Sequence, residues 1–114
     1  MAPEVNYTYN AVVRSVYDAD TIRVDIDTGF STWRHNESIR LLGIDAPEIR
    51  GEERPEGLIS KAWLLDKIPP GTEIIIQTIR DRTGKYGRYL AYIWHDGVNL
   101  NEQMLIEGIA KPYV

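Results

Sequence analysis

The stretch ESIRLLGIDAPEIRGEERPEGLISKAWLLDKIPPGTEIIIQTIR, residues 37–80, decides the fold. It opens on Glu37–Leu42, which reads as a strand, and closes on Glu73–Arg80, a strongly apolar strand. Between them, Gly43–Gly57 is rich in Gly, Pro and charge and reads as a surface loop. Loops on a rigid scaffold carry functional sites more often than cores do. The segment Pro55–Ile68 reads as a helix. Pro55 suits its first turn, and Leu58, Ala62 and Leu65 recur at i, i+4 and i+7 to give one apolar face. Ile68-Pro69-Pro70-Gly71 stops it.

Working towards the N-terminus, Thr21–Ile26 alternates, with Ile22, Val24 and Ile26 on one face, and Asp27-Thr28-Gly29 reads as the turn that ends it. Val5–Tyr17 is β-branched and aromatic and reads as a first strand, and Trp33 falls in the link before the third. Towards the C-terminus, Tyr89–Trp94 is a fifth strand and Asp96-Gly97 a turn. Asn99 followed by Glu102 resembles a capping box, opening a short helix through Glu107 with Gly108 at its C′ position. Ile109–Val114 reads as extended or irregular. The order is three strands, a helix, two strands, a helix. The class is α+β. The order predicts a five-stranded Greek-key OB-fold barrel, with one helix between strands 3 and 4 and a second short helix after strand 5. Other α+β arrangements share this order, and periodicity alone leaves them open.

The chain has 114 residues, 43% hydrophobic and 26% charged. That length suits one domain over 1–114, because typical domains hold roughly 100–150 residues. No repeat divides it. The apolar content is too high for a disordered chain. No apolar run approaches the ~20 residues of a membrane helix, so no membrane partner is expected. The absence of Cys excludes a disulfide framework, a thiolate metal site and a Cys nucleophile. The first residues, MAPEVNYTYN, have neither a positive nor an apolar leader region. The expectation is an intracellular protein or the mature form of a secreted one. The net charge of −4 argues against a nucleic-acid partner, since such proteins usually carry a basic patch.

Two acidic motifs point the other way. Asp18-Ala19-Asp20-Thr21 lies between the first two strands, and Asp45-Ala46-Pro47-Glu48 follows the third. Each alone reads as a turn. Together they offer three or four carboxylates to one place, and hard cations such as Ca²⁺ take oxygen ligands. The basic elements are Arg40 in the third strand and the segment DRTGKYGR, residues 81–88. If Ile39 and Leu41 face the core, Arg40 points outward or across the barrel mouth. Arg88 follows a Gly-containing turn. The plain reading is a solvated hairpin loop. The functional one is a phosphate clamp, because guanidinium matches phosphate oxygens bidentately.

The ordered motifs DADTIRV, IRLLGIDAPE, DRTGKYGRYLAYI and DGVNLNEQMLIEGIAKPYV resemble the staphylococcal nuclease-like (thermonuclease, micrococcal nuclease) family over about Val12–Tyr113. The resemblance implies an OB barrel and a set of roles. Asp20 and Asp45 match direct Ca²⁺ ligands, and Asp18 an acid that acts near the metal, often through water. Ala46 matches a residue that gives its backbone carbonyl to the metal. The best-known member has Thr there, and a carbonyl ligand needs no particular side chain. Glu48 matches the general base or water-positioning residue. Arg40 and Arg88 match two arginines on the scissile phosphate. Lys85 and Tyr86 match contacts to the nucleotide's terminal phosphate. Tyr113 resembles a tyrosine beside the nucleotide, although the spacing after Lys111 is one residue shorter here. The loop after Glu48 is also shorter, and the family's usual final C-terminal helix is absent.

The implied activity is Ca²⁺-dependent hydrolysis of DNA and RNA with little sequence preference, leaving 3′-phosphate ends. Single-stranded or frayed nucleic acid is the expected substrate. A monomer is expected, with self-association through the truncated C-terminal side as the other state. The alternative is a non-catalytic OB-fold module that binds nucleic acid or protein. The presence of Asp20, Arg40, Asp45, Glu48 and Arg88 together favours the enzyme. His35, His95 and the loop residues Arg50, Glu52, Glu53 and Arg54 read as solvated. Trp63, Trp94 and Tyr92 read as core packing, and Ser60 has no triad partner. Setting Asp18, Asp20, Asp45 and Glu48 aside leaves 13 acids against 13 bases. The acidic excess is thus the size of the expected site. Affinity for nucleic acid is expected to be modest, and poor without the metal.

Overall fold

Side-chain alternation builds the barrel wall. In β1 (Thr8–Asp18) and β2 (Thr21–Gly29), Ala11 and Val13 meet Ile26 and Val24 across the register and face inward, buried. The computed structural model describes residues 7–113. Val5, where the first strand was expected to begin, lies outside the described residues, as does Val114. The chain continues through β3 (Thr32–Leu41), β4 (Ile44–Asp45), α1 (Arg54–Lys67), β5 (Glu73–Thr83), β6 (Tyr89–His95), β7 (Val98–Asn99), α2 (Leu100–Ile106) and β8 (Lys111–Pro112).

β1 pairs antiparallel with β2 and with β5, β2 with β3, and β5 with β6. The barrel closes where Ile39–Leu41 of β3 run parallel to Tyr89–Ala91 of β6. The result is a closed five-stranded mixed barrel with α1 between its third and fourth strands, the expected OB architecture. Closure covers the edge of β3 over Ile39–Leu41, while the hairpin part of β3 before it pairs with β2 alone. Ile22, Val24, Ile39, Leu41, Ile76 and Ile93 fill the interior, each essentially fully buried. Leu64 from α1, Ile68 just beyond its end, and Leu100 and Met104 from α2 join this core. Burying such a side chain is worth roughly 1.5–3 kcal/mol. No helix among the described residues is long and apolar enough to cross a membrane.

The structure departs from the expected elements in three places and makes a fourth more definite. The second hairpin is longer than expected. Asp27-Thr28-Gly29 continues β2, and the turn falls at Phe30 and Ser31, with Trp33 inside β3. Cross-strand pairs Asp27–Trp33 and Gly29–Thr32 hold it together. The helix face is rotated: α1 buries Gly57, Ser60 and Leu64, whereas Leu58 and Ala62 are exposed. The reason is Gly57, which sits against the backbone of Glu48 and so fixes which side of α1 faces inward. The residues Lys111–Pro112, within the stretch read as extended or irregular, are extended and form a short strand on β4. Finally, Trp94 and Tyr92 alternate outward from Ala91 and Ile93 and stay half-buried outside the core, while Trp63 packs on it as expected.

Candidate active site

The turn from β1 to β2 presents the first acidic motif. Ala19 is buried at its apex, and the Asp20 N–H donates to Asp18 Oδ1 at 3.1 Å, the local bond that makes Asp a turn residue. Asp20 then ties three segments together. Its Oδ1 accepts from Thr21 Oγ1 at 3.1 Å and its Oδ2 from the Ala46 N–H at 2.9 Å. Its carbonyl accepts from the Leu41 N–H at 2.8 Å. Arg40, at the end of β3, places Nη2 3.4 Å from Asp20 Oδ2 and 3.9 Å from Asp45 Oδ1, while its Nη1 donates to the Leu41 carbonyl at 2.8 Å. With Ile39 and Leu41 buried in the barrel, Arg40 emerges on the outer face.

Gly43, at φ +76°, lets the chain reverse out of β3 into β4. β4 pairs with β8 through Ile44–Pro112 and Asp45–Lys111, and the Tyr113 N–H donates to the Gly43 carbonyl at 3.1 Å. The C-terminal strand thus brings Tyr113 beside the cavity, with the Arg40 guanidinium 5.6 Å from its ring centre. Lys111 Nζ lies 4.0 Å from Asp45 Oδ2.

Glu48 follows on the loop that α1 abuts. A Cβ on Gly57 would stand 2.1 Å from the Glu48 carbonyl oxygen, so only glycine permits this approach. From the other side, the loop between β5 and β6 delivers Arg88, whose Nη1 donates to Thr21 Oγ1 at 3.2 Å. Lys85 lies on the same loop.

These parts enclose one open cavity of about 530 Å³. Asp18, Asp20, Arg40, Asp45, Glu48, Lys85, Arg88 and Tyr113 all line it. Of the residues singled out from sequence, Ala46 and Tyr86 do not. Ala46 is buried behind the cavity and contributes its N–H to Asp20. Tyr86 is almost fully exposed on a positive-φ turn, with the Arg88 guanidinium 5.4 Å from its ring centre.

Sequence reading missed several supports. Thr21 links Asp20 to Arg88, although it stands inside a quoted motif. Leu90 gives the cavity an apolar side, a role that the alternation of β6 could have signalled. Asn101 is buried, accepts from the Ile93 N–H at 3.0 Å, and donates to the carbonyls of Leu42 at 2.8 Å and Ala91 at 3.2 Å. It stitches the ends of β3 and β6 behind the cavity. Nothing local in the sequence marks it. Ser60 is buried and donates to the Ile109 carbonyl at 2.7 Å, a structural use. His35 meets Asp25, and His95 meets Asp96 and the Glu73 carbonyl; neither lines the cavity.

Negative charge crowds one wall. Burial pushes the Asp18 carboxyl up to about 7, helped by its hydrogen bond to the Asp20 side chain and by the charges of Asp20 and Glu48. Among the described residues no three Asp, Glu or His side chains gather as a preformed metal cluster. The lining donors nonetheless suit a hard divalent cation. Their side-chain donors on the acidic wall are carboxylates, no His lines the cavity, and Arg40 balances Asp20 and Asp45, with Lys111 also beside Asp45.

Comparison with known proteins adds the family. The model of the family described as staphylococcal nuclease homologue matches residues 38–114. The chain belongs to this staphylococcal nuclease family. It is 31% identical over 102 residues to a thermonuclease of Staphylococcus intermedius, covering 88% of the chain and 57% of that protein. It is 31% identical over 130 residues to an uncharacterized protein of Methanocaldococcus jannaschii, covering 93% and 59%. It is 30% identical over 105 residues to the endonuclease YncB of Bacillus subtilis, covering 90% and 47%. The chain thus spans about half the length of these curated relatives. Within the staphylococcal nuclease family, the cavity gathers the two acidic motifs and the two arginines by which the sequence first resembled it.

Proposed function

We propose that this chain is a Ca²⁺-dependent nuclease that hydrolyses phosphodiester bonds of DNA and RNA with little sequence preference, leaving 3′-phosphate ends. The observation that carries the reading is the meeting of Arg40, Arg88, Asp20, Asp45 and Glu48 at one cavity. Asp20, Asp45 and the Ala46 carbonyl are the groups proposed to hold Ca²⁺, with Asp18 acting through water. When bound, Ca²⁺ supplies positive charge to a phosphodiester oxygen.

The remaining chemistry belongs to the chain. Glu48 takes a proton from the attacking water or orients it. The water oxygen bonds to phosphorus as the bond to the 5′ oxygen breaks, which leaves the phosphate on the 3′ side. Arg40 and Arg88 offer guanidinium donors to the equatorial oxygens, where charge builds in the transition state; removing one such donor costs roughly 10²–10³ in rate. Lys85 and Tyr86 meet the terminal phosphate, and Tyr113 lies beside the nucleotide. The proposal extends to a monomer acting on single-stranded or frayed nucleic acid, with residues 1–114 working as one domain.

Single-stranded DNA incubated with the protein in Ca²⁺, in a chelator, and with Glu48→Gln tests this. Cleavage is expected in Ca²⁺ alone, with fragments whose mobility changes on phosphatase treatment. Glu48→Gln is expected to lose about 10²–10⁴ in kcat. Cleavage that survives both the chelator and the substitution overturns the mechanism. Affinity for DNA without any cleavage identifies the binding-module reading instead.

A further inference from the structure

The cavity opens at one end of the β2–β3 hairpin, and the other end carries an unexplained feature. Phe30 is fully exposed at the tip, and Trp33, three residues further along in β3, is 42% exposed. A single exposed aromatic is ordinary, whereas exposed apolar residues that gather mark contact surfaces, and here two share one hairpin end. The display is also built with care. Phe30 and Ser31 both adopt positive φ, 54° and 59°, as the tight two-residue hairpin turn requires, although neither is the Gly or Asn that takes this geometry cheaply. Backbone strain is thus spent on holding an aromatic ring at the end of a stiff arm.

Register shows which face of the arm Trp33 occupies; Phe30 sits in the turn at its end. Thr21 pairs with Arg40, Arg23 with Ser38, and Asp27 with Trp33. Cross-strand partners lie on one face of a sheet. Ile22, Val24 and Ile26 are inward, so Arg40, Arg23 and Trp33 share the outer face, the face on which the cavity opens. Arg14 and His35 join them there, both reaching Asp25 at 3.4 Å. Two acids also lie on this face, and both are occupied locally. Asp25 accepts from the Asn36 N–H and faces Arg14 and His35, while Asp27 accepts from the Gly29 N–H. The Arg23 guanidinium donates to the Asn36 carbonyl at 2.8 Å and, among the described residues, has no carboxylate partner.

From these positions we infer that the outer face of the β2–β3 hairpin is an extended subsite for a single nucleic-acid strand. The strand leaves the cavity past Arg40, follows Arg23, Arg14 and His35 with its phosphates, and stacks bases on Trp33 and Phe30. The nine residues of β2 span about 25–30 Å at ~3.3 Å each. That length suits the short end of the ~4–16 nucleotides that an OB barrel engages. Stacking tolerates any base because every base has a π-face, so the track adds affinity without sequence preference. This inference rests on the nuclease reading of the cavity and names where the rest of its substrate lies.

The test compares a dinucleotide with a 12-nucleotide single strand as substrates for the wild type and for the pair F30A/W33A. Wild type is expected to show a KM at least tenfold lower for the longer strand. In F30A/W33A that length advantage is expected to disappear, with melting temperature held. R23A is expected to lose part of it and to flatten the salt dependence of KM. An unchanged length advantage in F30A/W33A overturns the track and leaves the nuclease reading standing. Binding of a fluorescein-labelled 12-mer to the Glu48→Gln protein is measured beside it. If no protein cleaves but this binding weakens about tenfold or more in F30A/W33A, the track stands and the nuclease reading falls. If the aromatic pair instead governs binding to phosphatidylcholine–phosphatidylserine vesicles and leaves the 12-mer unaffected, the tip is a membrane contact and the inference fails.

Discussion

At the scale of the residue, Gly57 does more for the site than its composition class implies. Its missing Cβ lets α1 lie against the Glu48 backbone at a distance no side chain allows. In Gly57→Ala the new methyl meets the backbone carbonyl, which cannot swing aside as a flexible side chain would. Either the helix backs away or the Glu48 loop moves. We expect at least tenfold lower kcat, since small displacements of a catalytic group are costly, and a fall in melting temperature even though Ala favours helix. Full activity with a raised melting temperature would contradict this. A second residue-scale outcome concerns Tyr9, whose hydroxyl donates to the Asp81 carboxylate, 2.8–2.9 Å from its two oxygens. Burial, then this hydrogen bond and the Asp81 charge, push its phenol up to about 12 from 10. The folded state therefore favours protonated Tyr9. That stabilisation is complete below pH 10 and is lost as pH rises through about 12. An absorbance titration of tyrosinate is expected to show a late step that Tyr9→Phe removes; ordinary titration of every tyrosine near 10 would exclude it.

Between elements, the weakest seam is the one that closes the barrel. β3 and β6 run parallel over only Ile39–Leu41 and Tyr89–Ala91 before they diverge. Asn101 at the start of α2 spans the gap with three hydrogen bonds to their backbones. Asn101→Ala leaves an N–H and two carbonyls without that partner in a buried place. We expect a loss of about 3 kcal/mol, read as a lower urea midpoint with unchanged slope. A loss under ~0.5 kcal/mol would show that water replaces the amide. This seam also shows what sequence can carry. The five strands were readable because alternation is a local signal: Ile22, Val24 and Ile26 are two apart in the chain and share one face in space. The α1 face was misread because Leu58, Ala62 and Leu65 fit helical spacing, whereas the true face is set by Gly57 against a loop nine residues earlier in the chain. Asn101 was invisible for the same reason: its partners Leu42 and Ala91 lie far off in sequence. Hairpin length was misjudged at Asp27-Thr28-Gly29, whose composition favours a turn but whose cross-strand pairing with Trp33 and Thr32 keeps it in the sheet. The site residues were legible as motifs, and as one site through the family resemblance, without their geometry. Only closure of the barrel brings DADT, DAPE and the β5–β6 loop to one cavity.

For the molecule as a whole, the decisive quantity is the placement of a net charge of −4. Asp18, Asp20, Asp45 and Glu48 account for the whole excess and line a single cavity. Folding brings them together against their mutual repulsion, with Arg40 and Arg88 as partial compensation. A cation held there in the folded state alone stabilises that state. At a Ca²⁺ concentration 100-fold above Kd, linkage gives about 2.7 kcal/mol, which for a domain of this size is about 10 °C in melting temperature. Asp20→Asn, which removes a charged donor, is expected to abolish most of the shift, while Mg²⁺ should serve less well because it demands tighter octahedral geometry. The same charge map sets the salt response. With Arg40, Lys85 and Arg88 at the cavity and Arg14 and Arg23 on the hairpin track, about five phosphates are neutralised. The slope of log Kd against log salt should then be moderate, about 3 to 4 in magnitude at ~0.7 per phosphate on a single strand, and about 2 if the cavity bases act alone. A Ca²⁺ titration followed by melting, and DNA binding across a salt series in saturating Ca²⁺, measure the two effects separately. No Ca²⁺ shift in the wild type would remove the metal from the acidic wall. A slope near 6 would instead require a broad basic surface, which a chain with 13 bases against 17 acids does not provide.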